Sequence, residues 1–148
     1  MFRDGEARVV AFHVGAERFA VELAAVDEVL DLPALRAMPD MPRAVLGLAT
    51  IRGEPTTMYD AGALLEVTAA IGGTALVFRC SERRIGLVVG DVDEAFIVQE
   101  DAVRAAPGAE SSNGMLMGVI RRGADLVALL DARALVDAAA STIEVQRT

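Results

Sequence analysis

One cysteine is present in the 148 residues, Cys80, so no internal disulfide can brace the chain. It lies in the apolar run Ala75–Cys80 and reads as a small buried hydrophobe. Tryptophan is absent and aromatics make up only 4%, which leaves valine, alanine and leucine to build the core. The sole histidine is His13, and CxxC and HExxH spacings are missing, so no metal site is expected. Nor is there a Walker sequence or a GxGxxG after a strand, which removes a nucleotide phosphate cradle. Runs of basic residues are lacking too, and the formal net charge of −8 disfavours nucleic acid, whose phosphates need Lys and Arg. The longest charge-free run, Val67–Phe78, carries Gly72-Gly73 and falls well short of the ~20 apolar residues that cross a bilayer. Arg3, Asp4, Glu6 and Arg8 interrupt the opening residues, so no secretory leader is expected there. A soluble protein of a reducing cytoplasm fits these absences.

What remains is rich in strand signals. Val9–Val14, Ala75–Arg79, Ile85–Val89, Phe96–Val98 and Leu126–Leu130 are short apolar or β-branched runs, and Phe19–Leu23 alternates with period two. Turn residues separate them at Gly15-Ala16-Glu17, Gly53-Glu54-Pro55, Ser81-Glu82-Arg83 and Arg122-Gly123-Ala124-Asp125. Two stretches read as helix. Val26–Leu30 is a short candidate that stops before Pro33, and Asp131–Ser141 is alanine-rich with Asp131 as its N-cap.

The chain also matches itself. An offset of about 66 residues lays Phe12 on Phe78, Arg18 on Arg84 and Val26-Asp27-Glu28 on Val92-Asp93-Glu94. A slightly larger shift lays Leu35–Pro39 on Val103–Pro107. At an offset of about 71, Gly47 falls on Gly118, Asp60-Ala61 on Asp131-Ala132 and Ala63-Leu64 on Ala134-Leu135. These matches predict an all-β protein of two related units, about 7–68 and about 74–140, within one domain spanning 1–148. Each unit holds about five short strands, best accommodated as a small barrel because closure removes exposed edges. Gly72-Gly73 reads as the linker between them.

Catalytic constellations are not found. His13 has no neighbouring activating partner. Asp27-Glu28 and Asp93-Glu94 sit at duplicated positions, which suits inherited scaffold better than a general acid and base. The segment Gly47-Leu48-Ala49-Thr50-Ile51-Arg52-Gly53 is more distinctive. Gly53 can take positive φ and turn the chain sharply. Arg52 then stands at a strand end, where its planar fork suits a carboxylate at a docking surface.

The ordered set Phe12-x-x-Gly15, Phe19-Ala20-Val21, Val26-x-Glu28-Val29, Met41-Pro42, Gly47–Gly53 and Asp60 resembles the CheW-like domain family. The second half continues it with Ile85–Val89, Val92, Gly118-Val119, Leu129-Leu130-Asp131 and Leu135-Val136. The resemblance implies two intertwined five-stranded β-barrel subdomains with short helices, including a C-terminal helix, and no enzymatic activity, cofactor or metal. It implies a cytoplasmic adaptor at receptor arrays, joining the regulatory domain of a CheA-type histidine kinase to the cytoplasmic tip of methyl-accepting receptors. By that likeness Arg52 contributes to receptor coupling, Glu28 pairs with it, and Val26, Gly47 and Gly53 belong to the same surface. Thr50 and Ile51 stand where the family pattern has Asn and Leu. A duplicated-barrel protein that binds a ligand or effector in another pathway, such as pilus motility control, is the alternative.

Overall fold

The runs Val9–Phe12 and Ala75–Phe78 are apolar at consecutive rather than alternate positions, the pattern of strands covered on both faces. The computed structural model describes residues 1–80, 82–106 and 114–147, with side chains through Ile143. It places these runs on inner strands of two five-stranded sheets. In chain order the strands are β1 (Glu6–Val14), β2 (Glu17–Glu22), β3 (Val26–Asp31), β4 (Val45–Ile51), β5 (Glu54–Asp60), β6 (Thr74–Cys80), β7 (Arg83–Val89), β8 (Val92–Gln99), β9 (Leu116–Arg122) and β10 (Asp125–Leu130). Two helices, α1 (Ala61–Leu65) and α2 (Ala132–Arg147), follow β5 and β10.

Sheet A runs β8-β1-β2-β10-β9, and sheet B runs β3-β6-β7-β5-β4. The β1–β2 hairpin of the first half is therefore built into the sheet of the second half, and β6–β7 into that of the first. Each exchanged hairpin pairs antiparallel on one side, β1 with β8 and β6 with β3. On the other side it pairs parallel, β2 with β10 and β7 with β5. Substituting each strand by its repeat equivalent turns one sheet order into the other, so the internal repeat is a pseudo-twofold with swapped hairpins.

Three groups of buried residues follow from this arrangement. On β1, Ala7, Val9 and Ala11 turn into the interior of sheet A with Ile120, Val127 and Leu129. On β6, Ala75 and Val77 turn into that of sheet B with Ile51, Met58 and Val88. The alternate residues Val10, Phe12, Leu76 and Phe78 enter one shared core, joined by Tyr59, Leu130, Leu135 and Val136. Phe12 and Phe19 stack there with ring centroids 5.9 Å apart. Burying an aromatic or aliphatic side chain of this size stabilises by about 1.5–3 kcal/mol, so the shared core ties the two sheets into one unit.

Neither sheet closes through a continuous ladder, so the expected barrels are open at one seam. The chain beyond β3 reaches across to β4, where Arg36 and Leu48 exchange two backbone bonds of 2.7 and 2.9 Å. Arg104 and Val119 do the same in sheet A, at 2.9 and 2.8 Å. Glycine makes the crossing feasible. A Cβ on Gly47 would lie 2.6 Å from the Arg36 carbonyl oxygen, and one on Gly118 the same distance from that of Arg104.

The helix expected at Val26–Leu30 is instead strand β3. Its Val-x-x-Val-Leu spacing suits either period, and pairing with β6 across Val29↔Leu76 and Leu30↔Ala75 decides for the strand. The C-terminal helix begins as its sequence suggests: Asp131 Oδ1 accepts from the backbone N–H of Arg133 at 2.9 Å and of Ala134 at 3.2 Å. It runs on to Arg147 and buries Leu135, Val136 and Ala139 against β6 and β7. Gly72 is more than a linker, because a Cβ there would collide with the Val89 carbonyl. Ser81 of the expected Ser81-Glu82-Arg83 turn and Pro107 of the repeat match lie outside the described residues.

Candidate functional site

Strand β4 ends at Ile51 and β5 begins at Glu54, paired directly opposite, which leaves a two-residue turn. Arg52 has φ 49° and Gly53 φ 78°, the sign pattern of a type I′ turn, which matches the twist of its flanking strands. Glycine, asparagine or aspartate normally fills both places. Arg52 is an L-residue with a long side chain held in the left-handed region, a strained choice that asks for a reason.

That reason is where the side chain goes. Arg52 Nε donates to Glu28 Oε2 on β3 at 2.8 Å. Glu28 is only 20% exposed and Arg52 is 76% exposed. The carboxylate is thus anchored at the sheet surface and the guanidinium stands outside it. Its two terminal nitrogens make no bond within the described residues, so their donors face solvent. The hydrogen bond that Arg52 donates to Glu28, then the charge of that carboxylate, holds the guanidinium pKa above its ordinary value. A planar fork fixed at Nε and free at both ends is prepared for a bidentate acceptor on another molecule.

Of the other expected residues, Gly53 completes the turn and Val26 lies at the start of β3, opposite Phe78. Gly47 is buried on β4, with its backbone against that of Arg36.

A second set of residues surrounds the pair. Arg84 on β7 is 9% exposed; its Nη1 donates to Thr56 Oγ1 and lies 3.6 Å from Glu54 Oε2, and its Nε is 3.7 Å from Asp27 Oδ2. Arg79 on β6 reaches the same two carboxylates at 3.8 and 3.5 Å. Sheet A repeats the layout at matching positions. Arg18 meets Asp93 at 2.7 Å and Asp125 at 3.2 Å, and His13 Nε2 lies 3.1 Å from Asp93 Oδ2. The self-match had aligned Arg18 with Arg84 and Asp27 with Asp93. The signal it lacked is that each arginine pairs with the aspartate of the opposite half, which only the hairpin exchange brings about. Burial alone would raise the Asp93 carboxyl, but the bond from Arg18 and the charges of His13 and Arg18 outweigh it, and its pKa falls below the ordinary value.

Cys80 is half-buried at the end of β6, and burial pushes its thiol up, away from reactivity. Among the described residues no three His, Cys, Asp or Glu are grouped to hold a metal ion. No helix there is long and apolar enough to cross a membrane.

The fold is a pair of five-stranded sheets that exchange hairpins, with a braced arginine at the tip of one hairpin. The chain belongs to the CheW-like domain family, whose model matches residues 8–140. It is 29% identical over 111 residues to the chemotaxis protein CheW of Rhizobium meliloti (strain 1021), covering 73% of this chain and 72% of that one. It is 22% identical over 137 residues to the chemotaxis protein CheW of Treponema pallidum (strain Nichols), covering 86% and 81%. The crystal structure of the scaffolding protein TtCheW from Thermoanaerobacter tengcongensis shares the fold, with a TM-score of 0.77 at 16% identity over 87% of this chain and 91% of that one. The family makes the protein a chemotaxis-type signalling scaffold.

Proposed function

We propose that the protein is a non-catalytic cytoplasmic adaptor that couples a CheA-type histidine kinase to the cytoplasmic tip of methyl-accepting receptors. The observation that carries this reading is the Arg52–Glu28 pair, with Nε spent on the internal carboxylate and the terminal nitrogens turned outward. The coupling surface comprises Arg52, Glu28, Val26 and Gly53. Gly47 serves it from behind, by letting the chain at Arg36 press against β4 and so fixing the strand that carries the turn. The kinase regulatory domain docks on apolar strand and hairpin residues, and the assembly sits at receptor arrays beside the inner face of the membrane.

Arg52→Glu tests the proposal. Kinase binding, followed by calorimetry, is expected to persist, while receptor-dependent stimulation of the kinase is lost. Glu28→Arg combined with Arg52→Glu is expected to restore part of it, because the swapped pair re-forms the brace. Unchanged stimulation with Arg52→Glu would sink the coupling role, and an absence of kinase binding by the native chain would sink the adaptor.

A second reading, an adaptor or effector that binds a small ligand, has one observation in its favour. A cavity of about 350 Å³ lies between sheet A and the two helices, lined by Phe19, Ala44, Leu64, Met115, Leu130 and Ala138. That size is within the range of small-molecule sites, and most of the lining is apolar, with Glu66 and Thr142 as its polar members. A thermal-shift screen with apolar ligands, giving a response where kinase binding is absent, would favour it.

A further inference from the structure

Arg79 is 49% exposed, and its two carboxylate neighbours, Asp27 and Glu54, are also open to solvent. Both carboxylates touch Arg84 as well, at 3.7 and 3.6 Å, so the four groups form a closed ring in which every contact is long. The buried Nε of Arg84 has no hydrogen-bond partner, although Asp27 is near enough to supply one after a small shift. The ring thus holds a cation that can be released without stranding a charge: if Arg79 turns outward, Asp27 and Glu54 keep Arg84. The matching ring in sheet A has no such freedom. There Arg18 takes Asp93 at 2.7 Å, and His13, 3.1 Å from the same carboxylate oxygen, stands in the place of Arg79.

Net charge separates the two ends further. Around the turn in sheet B, Arg52, Arg79 and Arg84 face Glu28, Asp27 and Glu54, three charges of each sign. At the matching places in sheet A, Arg18 alone faces Asp93, Asp125 and Glu94, and Gly123 stands where Arg52 would be. In a chain of net charge −8, the exposed guanidiniums of Arg52 and Arg79 stand together at the sheet B end, where an acidic surface can meet both.

We infer that Arg79 is a second docking cation beside Arg52, that both receive carboxylates from one acidic segment of the receptor tip, and that Asp27 and Glu54 are internal competitors the segment displaces. This rests on the coupling reading above.

The competitor role makes a prediction that a structural brace does not. Binding is measured by titrating the native chain and its variants against a purified cytoplasmic fragment of a methyl-accepting receptor at several salt concentrations. Glu54→Gln and Asp27→Asn, which loosen the hold on Arg79, are each expected to tighten binding about threefold. Arg79→Gln is expected to weaken it about threefold and to flatten its salt dependence. Glu54→Gln and Asp27→Asn that leave binding unchanged or weaken it would overturn the inference, as would full binding by Arg79→Gln. Arg52→Glu run alongside separates the two ideas. If it binds as the native chain does, the coupling reading itself fails. If it loses binding while the ring variants change nothing, only the role of the ring fails.

Discussion

In sheet A, Arg18 draws Asp93 and Asp125 to within 2.7 and 3.2 Å and is 16% exposed. In sheet B, Arg84 occupies the equivalent place and is buried more deeply, yet its carboxylates stay 3.6–3.7 Å away. The turn beside it departs as well. Sheet A uses Gly123 at φ 63°, where the conformation costs nothing, and sheet B puts Arg52 at φ 49°. One framework, used twice, is thus tight and unstrained at one end and slack and strained at the other. Slackness and strain concentrate where a structure must exchange its own contacts for those of a partner. On the proposed function, sheet A holds the molecule together and the tip of sheet B meets the partner.

The largest effects should come from the feature the sheets share. Gly47→Ala and Gly118→Ala each force a Cβ against a backbone carbonyl and are each expected to cost about 3 kcal/mol. By scanning calorimetry that is a drop of about 6–12 °C. A cost confined to one glycine would break the equivalence of the two seams.

The charged frameworks should differ. Asp93→Asn is expected to cost about 1 kcal/mol at neutral pH in urea unfolding, and Asp27→Asn, with only long contacts, less than about 0.5 kcal/mol. The pH dependence follows from Asp93, whose folded pKa lies below its ordinary value of 3.8. Its contribution is fully present above that ordinary value and is lost as pH falls through the lower folded one. Asp93→Asn should therefore remove part of the loss of stability in acid. An unchanged acid limb would show that the sheet A cluster is not the tight one. Smallest is Arg52→Gly, which relieves the left-handed strain and is expected to raise the melting temperature by about 2 °C while receptor coupling falls. A lower melting temperature would mean that the arginine braces the turn more than it strains it.

The repeat was legible in the sequence because its matched residues are the ones that cannot drift. Phe12 and Phe78 fill the shared core, Gly47 and Gly118 permit the seams, and Asp60 and Asp131 cap the two helices. Arg52 was legible as a strand-end arginine before a glycine turn, its partner Glu28 only through family likeness, and the structure brings the two together at 2.8 Å. The exchange of hairpins left no local trace. Val21 and Val88 carry the same pattern whichever sheet they join, since pairing partners are set by contacts remote in sequence. For the same reason β3 passed for a helix: its Val26–Leu30 spacing fits two periods, and its neighbour β6 comes from the other half. The ring around Arg84 was hidden likewise, because its members come from β3, β5, β6 and β7.

The exchanged hairpin also sets the timetable of synthesis. β1 and β2 leave the ribosome first, but their sheet neighbours are β8 and β10, the latter ending at Leu130. Translation at about 5–20 residues per second keeps this oldest hairpin waiting on the order of 5–20 s for its final neighbour. Val9, Ala11 and Ala20 stay uncovered meanwhile, because Ile120, Val127 and Leu129 come last, so a nascent chain stalled before β10 would present an apolar ribbon to chaperones and to other nascent chains.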